Sequence, residues 1–119
     1  MAPIFFDYSR TELGLKKVHI ALDVFETYLK REGKKYSAGD EMTIADFPLV
    51  ASVMCLEAID FSIDKYPLVK KWYETFKQEN PSLWEICQGG RNEISECNIN
   101  PPDLSHMVHP IHPIRKVAK

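Results

Sequence analysis

Between Ser9 and Gly33 apolar residues recur every three or four positions: Leu15, Val18, Leu22, Phe25 and Leu29, joined by Ala21, Val24 and Tyr28. That spacing predicts a long amphipathic helix with one face turned inward. Ser9-Arg10-Thr11-Glu12 has the form of a capping box, with Tyr8 and Leu13 as its staple pair, and Gly33 supplies the stop. Lys30 and Arg31 suit the negative end of the helix dipole. Gly14, in the first turn, costs on the order of 1 kcal/mol against alanine. The next run, Ile44-Ala45-Asp46-Phe47-Pro48-Leu49-Val50-Ala51-Ser52-Val53-Met54-Cys55-Leu56, is apolar nearly all round. Such a pattern predicts a helix from Thr43 towards Ile59 with neighbours on most sides, kinked locally by Pro48. Pro67 opens a third helix whose inward face is Val69, Trp72, Tyr73 and Phe76. Asn80-Pro81 starts a short fourth helix that Gly89-Gly90 should stop, with one further turn over residues 92–97.

The chain thus divides into an extended entry segment over residues 1–8, an all-α helical domain over 9–97 and a Pro- and His-containing tail over 98–119. At 119 residues it has room for one domain with a real core. Hydrophobic residues make up 45% and charged residues 27%, the balance of an ordinary globular protein. A net charge of −2 gives no electrostatic footprint for direct nucleic-acid binding. Neither a bilayer-length apolar run nor a signal-peptide pattern is present, so no membrane partner is expected. Cys55, Cys87 and Cys97 are odd in number and form no CxxC, which favours free thiols in a reducing compartment. The cytoplasm fits, with the nucleus as the alternative.

Candidate chemistry is sparse. Thr43 and Asp46 stand at capping-box spacing: the Thr43 hydroxyl would accept from the Asp46 amide, and the Asp46 carboxylate from the Thr43 amide. Met42 and Phe47 occupy the staple positions around it. With no companion acid, His or Lys at motif spacing, Asp46 reads as a structural cap, and no catalytic residue is assigned. His106, His109 and His112 would share one edge of a polyproline II segment. Three histidines without a nearby Cys pair fall short of a zinc site, so no metal ligand is assigned. Trp72, Tyr73 and Phe76, at helical spacing and without surrounding arginines, read as core aromatics and not as a base-stacking platform.

Gly39-Asp40-Glu41-Met42-Thr43-Ile44-Ala45-Asp46 resembles the capping-box signature in the helical C-terminal domain of cytosolic glutathione S-transferases. Lys65-Tyr66-Pro67-Leu68-Val69-Lys70-Lys71-Trp72-Tyr73-Glu74 resembles that family's next helix start. The likeness runs from about Thr11 to about Gln88 and is similar in flavour to the insect delta and epsilon classes. Ile99-Asn100-Pro101-Pro102-Asp103-Leu104-Ser105-His106 further resembles the transferase-like end of insect FLYWCH zinc-finger proteins. The resemblance implies a partial helical bundle of the C-terminal transferase type, beginning at the entry to the domain's second helix, without the thioredoxin-like domain and the first long helix. It further implies glutathione as co-substrate of the complete fold and no cofactor in this chain. The thiol-activating residue would lie in the thioredoxin-like domain, and that domain or another protein would cover the open helix face. Dimerisation would belong to the complete protein. Leu83, Trp84 and Cys87 are the candidates for lining the pocket of the hydrophobic co-substrate. The implied role is the substrate-pocket domain of a conjugating enzyme, inactive alone. The alternative is a non-catalytic interaction module in a larger, transcription-linked zinc-finger protein.

Overall fold

A computed structural model describes residues 10–103 as four helices: α1 (Glu12–Glu32), α2 (Asp46–Glu57), α3 (Pro67–Glu79) and α4 (Pro81–Ile99). The entry segment over residues 1–8, the staple residue Tyr8, the cap candidate Ser9 and the His106, His109 and His112 row lie outside the described residues. Among the described residues the fold is all-α, and its one β-type pairing is an isolated bridge between Tyr36 and Gly39.

α1 begins two residues later than the Ser9 box predicts. Thr11 is the cap, its hydroxyl accepting from the Gly14 amide at 3.0 Å. A Cβ on Gly14 would stand 3.1 Å from that hydroxyl oxygen, which gives the first-turn glycine a reason to be there. At the other end Gly33 adopts the left-handed conformation (φ 60°), and its amide returns to the Leu29 carbonyl. Leu22 and Leu29 are buried, with Val18 and Phe25 packed beside them. Leu15, expected on this face, is 49% exposed.

α3 is the centre. Val69, Trp72, Tyr73 and Phe76 are all buried; α1 packs on one side of α3, and α2 and α4 pack on the other. Its N-terminus is capped from a distance. The Glu26 carboxylate of α1 accepts from the amides of Leu68 (3.0 Å) and Val69 (2.9 Å), two of the donors a helix start leaves unpaired. Asn80 ends α3 and starts α4: its amide donates to the Phe76 carbonyl, and its own carbonyl accepts from Trp84.

Three expectations need correction. α4 runs unbroken through Gly89-Gly90 for 19 residues, including residues 98 and 99 assigned to the tail. Packing of Ile94 on the core and of Arg91 on Glu57 outweighs the two glycines' poor helix propensity. α2 starts at Asp46, not Thr43, so Pro48 falls in its first turn, where no ladder bond is lost and no kink is required. α2 is also buried on one face only. Asp46, Val50, Val53 and Met54 face the core, while Phe47, Pro48, Ala51 and Ser52 face outward, preceded by Ile44 at 85% exposure. The all-round apolar pattern therefore marks a helix with two apolar faces, of which the described residues cover one.

Candidate functional site

The loop between α1 and α2 is organised by one carboxylate. Asp46 has 0% exposure and, among the described residues, no cationic partner. One of its oxygens accepts from the Ser37 amide (2.9 Å) and the Trp72 indole N–H (3.0 Å). The other accepts from the Thr43 amide (2.9 Å) and the Thr43 hydroxyl (3.3 Å). Burial by itself would raise the carboxyl; the Thr43 and Ser37 amides and the indole more than reverse this, holding it below the ordinary range. With its lone pairs committed to internal donors, Asp46 is not placed to take a proton from a substrate.

The local geometry departs from a full capping box. Asp46 reaches back to the Thr43 amide, but the Thr43 hydroxyl accepts from Ala45 at 3.3 Å, and the Asp46 amide bonds the Thr43 carbonyl instead. The segment 43–46 is a turn, which draws the hydroxyl one residue short of its expected partner. Met42 packs against the core, whereas Phe47 is 42% exposed. The sequence motif supplies the Thr43 contact. The Ser37 and Trp72 contacts, 9 and 26 residues away, come from the tertiary fold.

A second polar cluster joins α2, α3 and α4. Glu57 accepts from the Tyr73 hydroxyl (2.7 Å) and from Lys77 (3.0 Å), with Arg91 at 3.5 Å. Lys77 lies over the rings of Tyr73 (4.2 Å) and Trp84 (4.7 Å), and Trp84 meets Tyr73 edge-on at 5.7 Å. Burial pushes Glu57 up, but the hydrogen bonds from Tyr73 and Lys77 bring it below the ordinary range. Burial and the neighbouring Glu57 drive the Tyr73 hydroxyl strongly upward, so it stays a neutral donor. Sequence reasoning missed this cluster. Its one signal is Glu57, a lone charge near the end of an apolar helix.

The pocket candidates sit beside it. Leu83, Trp84 and Cys87 are half-buried and packed against the core from α4. They line neither of two surface clefts, one along Leu29, Lys71 and Trp72 and the other along Glu57, Phe61 and Tyr73. Cys55, Cys87 and Cys97 are free and half-buried. Among the described residues no group of His, Cys, Asp and Glu is gathered as a metal site, and no helix is long and apolar enough to cross a membrane.

The apolar surface left open has a pattern. On α1, Leu13 (62% exposed), Ile20 (52%) and Val24 (64%) form a stripe opposite buried Leu22 and Leu29. On α2, Phe47, Pro48 and Ala51 lie outward of the core-facing residues, with Ile44 exposed in the turn just before the helix. α1 and α2, which do not pack on each other, thus each carry apolar residues on faces that nothing in the described structure covers.

Comparison with known proteins places this arrangement. Residues 6–80 match the model of the glutathione S-transferase C-terminal domain. A crystal structure of a diazinon-metabolizing glutathione S-transferase from the silkworm, Bombyx mori, superposes with a TM-score of 0.71 at 56% sequence identity. The match covers 72% of this chain and 43% of the silkworm chain, so this sequence spans less than half the length of that relative. With the family match extending over more than half of its residues, this chain belongs to the glutathione S-transferase C-terminal domain family.

Proposed function

We propose that this chain serves as the helical, substrate-pocket domain of a glutathione S-transferase-like protein, in a cytoplasmic setting. The observation that carries the proposal is the second apolar face of α2. Ile44, Phe47, Pro48 and Ala51 are placed as if for a neighbour, and more than half of the silkworm relative lies outside the match, where such a neighbour could be supplied. In such a protein the reaction is attack of the glutathione thiolate on an electrophile, with the thiol pKa lowered by hydrogen bonds from a thioredoxin-like domain. The helical domain contributes shape and an apolar wall. Leu83, Trp84 and Cys87 are the candidates for that wall, supported by their half-burial on α4. Asp46 and Tyr73 take no chemical role, since the carboxylate and the hydroxyl are both engaged inside the bundle.

The test is calorimetric titration of glutathione into the purified chain, beside a conjugation assay with 1-chloro-2,4-dinitrobenzene. Neither binding nor turnover is expected from the chain alone. Turnover would mean that a thiol site is built from residues assigned here to structure, and the proposal would fall. The N-terminal part of the silkworm enzyme, expressed separately, should bind the chain, and Ile44→Asp should weaken that binding. A non-catalytic interaction module would use the same apolar face. The stretch behind the zinc-finger resemblance, residues 99–106, extends beyond the described residues at 104–106.

A further inference from the structure

A cleft of about 300 Å³ opens between the end of α2, the connection to α3 and the Lys70–Glu74 turn of α3, with Arg91 of α4 at its side. Its floor is apolar: Tyr73 is buried, and Phe61 and Ile63 are half-buried. Its rim is acidic. Glu57, Asp60, Asp64 and Glu74 stand with two bases, and both are already paired, Lys70 with Asp64 and Arg91 with Glu57. Asp60 is exposed with no ion pair among the described residues, and Glu74 shares its partner, Lys77, with Glu57. The uncompensated acid on the rim is thus Asp60 and Glu74.

The sequence holds a segment of the opposite character. Residues 104–119 carry Arg115, Lys116 and Lys119 and no acid, whereas residues 1–103 carry seventeen acids against twelve bases. Ile111 and Ile114 set apolar side chains just before the bases. Pro110 and Pro113 restrict the backbone, which lowers the entropy lost on docking. Reach is ample. α4 ends at Ile99, about 12 Å of helix beyond Arg91, and residues 100–114 can span about 50 Å. A tethered segment meets its site at an effective concentration on the order of millimolar, so a contact too weak for a free peptide is still populated. We propose that the cleft is the docking site of residues 111–116 of the same chain, with Ile114 over Phe61 and Ile63, and with Arg115 and Lys116 against Asp60 and Glu74. The site is apart from the outward face of α2 and does not rest on the transferase reading.

The test compares the isotope-labelled full chain by NMR with Arg115→Glu/Lys116→Glu, which alters no residue of the four helices. Surface ion pairs add little to global stability, so the readout is local. Charge reversal should move the amides of Phe61, Ser62 and Glu74 and leave those of Ile44, Phe47 and Ala51 in place. Amide order parameters of residues 114–116 should lie above about 0.6 in the wild type and fall below that in the variant. Asp60→Asn/Glu74→Gln should release the segment as fully, asparagine also tolerating the left-handed backbone at position 60. Raising ionic strength from about 0.02 M to about 0.5 M should release it in part. Cleft amides that charge reversal leaves unmoved, wild-type order parameters below about 0.6, or shifts on the open face of α2 would each overturn the proposal. So would shifts that grow with protein concentration, which would put the segment on a second copy.

Discussion

Asp46→Ala is the perturbation that most directly tests how this fold is held. It strands the Ser37 amide and the Trp72 indole in the interior, each of which now bonds the carboxylate at 2.9–3.0 Å, and frees the Thr43 amide at the surface. A buried donor left without a partner costs about 1–3 kcal/mol, so the loss should be roughly 3–5 kcal/mol. Against a total of about 5–15 kcal/mol for a domain, that is a large share. Asp46→Asn keeps one oxygen for Ser37 and Trp72 but turns an NH2 group towards the Thr43 amide, and should cost about 2 kcal/mol. Thr43→Ala, which loses contacts at 3.3 Å, should cost about 0.5–1 kcal/mol. Urea unfolding followed by tryptophan emission measures all three. With a denaturant slope near 1.5 kcal/mol per M, Asp46→Ala should shift the midpoint by about 2 M or more. The pH dependence has a definite sign. Because the folded carboxyl lies below its ordinary value of 3.8, its contribution is present above that pH and is lost as pH falls through the folded pKa. The stability difference between wild type and Asp46→Asn should therefore shrink in acid. An unchanged midpoint for Asp46→Ala, or a difference independent of pH, would refute the hydrogen-bond account.

Three further outcomes are expected. Gly89→Ala/Gly90→Ala should stabilise the chain by about 1–2 kcal/mol, since both lie inside α4 and neither added Cβ meets another atom within 4 Å; a loss of helical circular dichroism would show that the helix breaks there. Asp60, at φ 55°, ends α2 in a left-handed conformation, with the Phe61 amide returning to the Leu56 carbonyl. Asp60→Gly should raise stability by about 0.5–1 kcal/mol in thermal unfolding, and a fall would mean that the aspartate side chain has work of its own. Glu26→Ala should cost about 1–2 kcal/mol by uncapping α3, with Glu26→Gln recovering part; equal melting of wild type and Glu26→Ala would rule the cap out.

What could be read in advance follows the range of the forces. α1 and α3 are legible because each buries one stripe, and Gly33 and Pro67 punctuate them by local backbone geometry. The end of α4 is not, since Gly89-Gly90 is a strong local stop that contacts from α2 override. α2 shows the converse failure: its pattern reports two apolar faces, and no periodicity says which is covered within a given stretch of chain. Around Asp46, local spacing reveals the Thr43 partner, while Trp72 and Ser37 reach the carboxylate through packing. Glu26 is further from view. On the sequence it is one more acid on a polar face, and its role exists only when the start of α3 is 42 residues away along the chain and next to it in space.

That cap has a consequence for the order of assembly. α3 and α4 are joined through Asn80 alone and can pair as a local hairpin, closing short loops at low entropic cost. α1 rests on α3 and on no other helix among the described residues, and Glu26 is where its arrival satisfies the amides of Leu68 and Val69. Docking of α1 and firming of the first turn of α3 are thus one event. If α1 lifts away, those two amides lose protection with it, and they should exchange with solvent at the rate of α1 and not at the rate of the core half of their own helix.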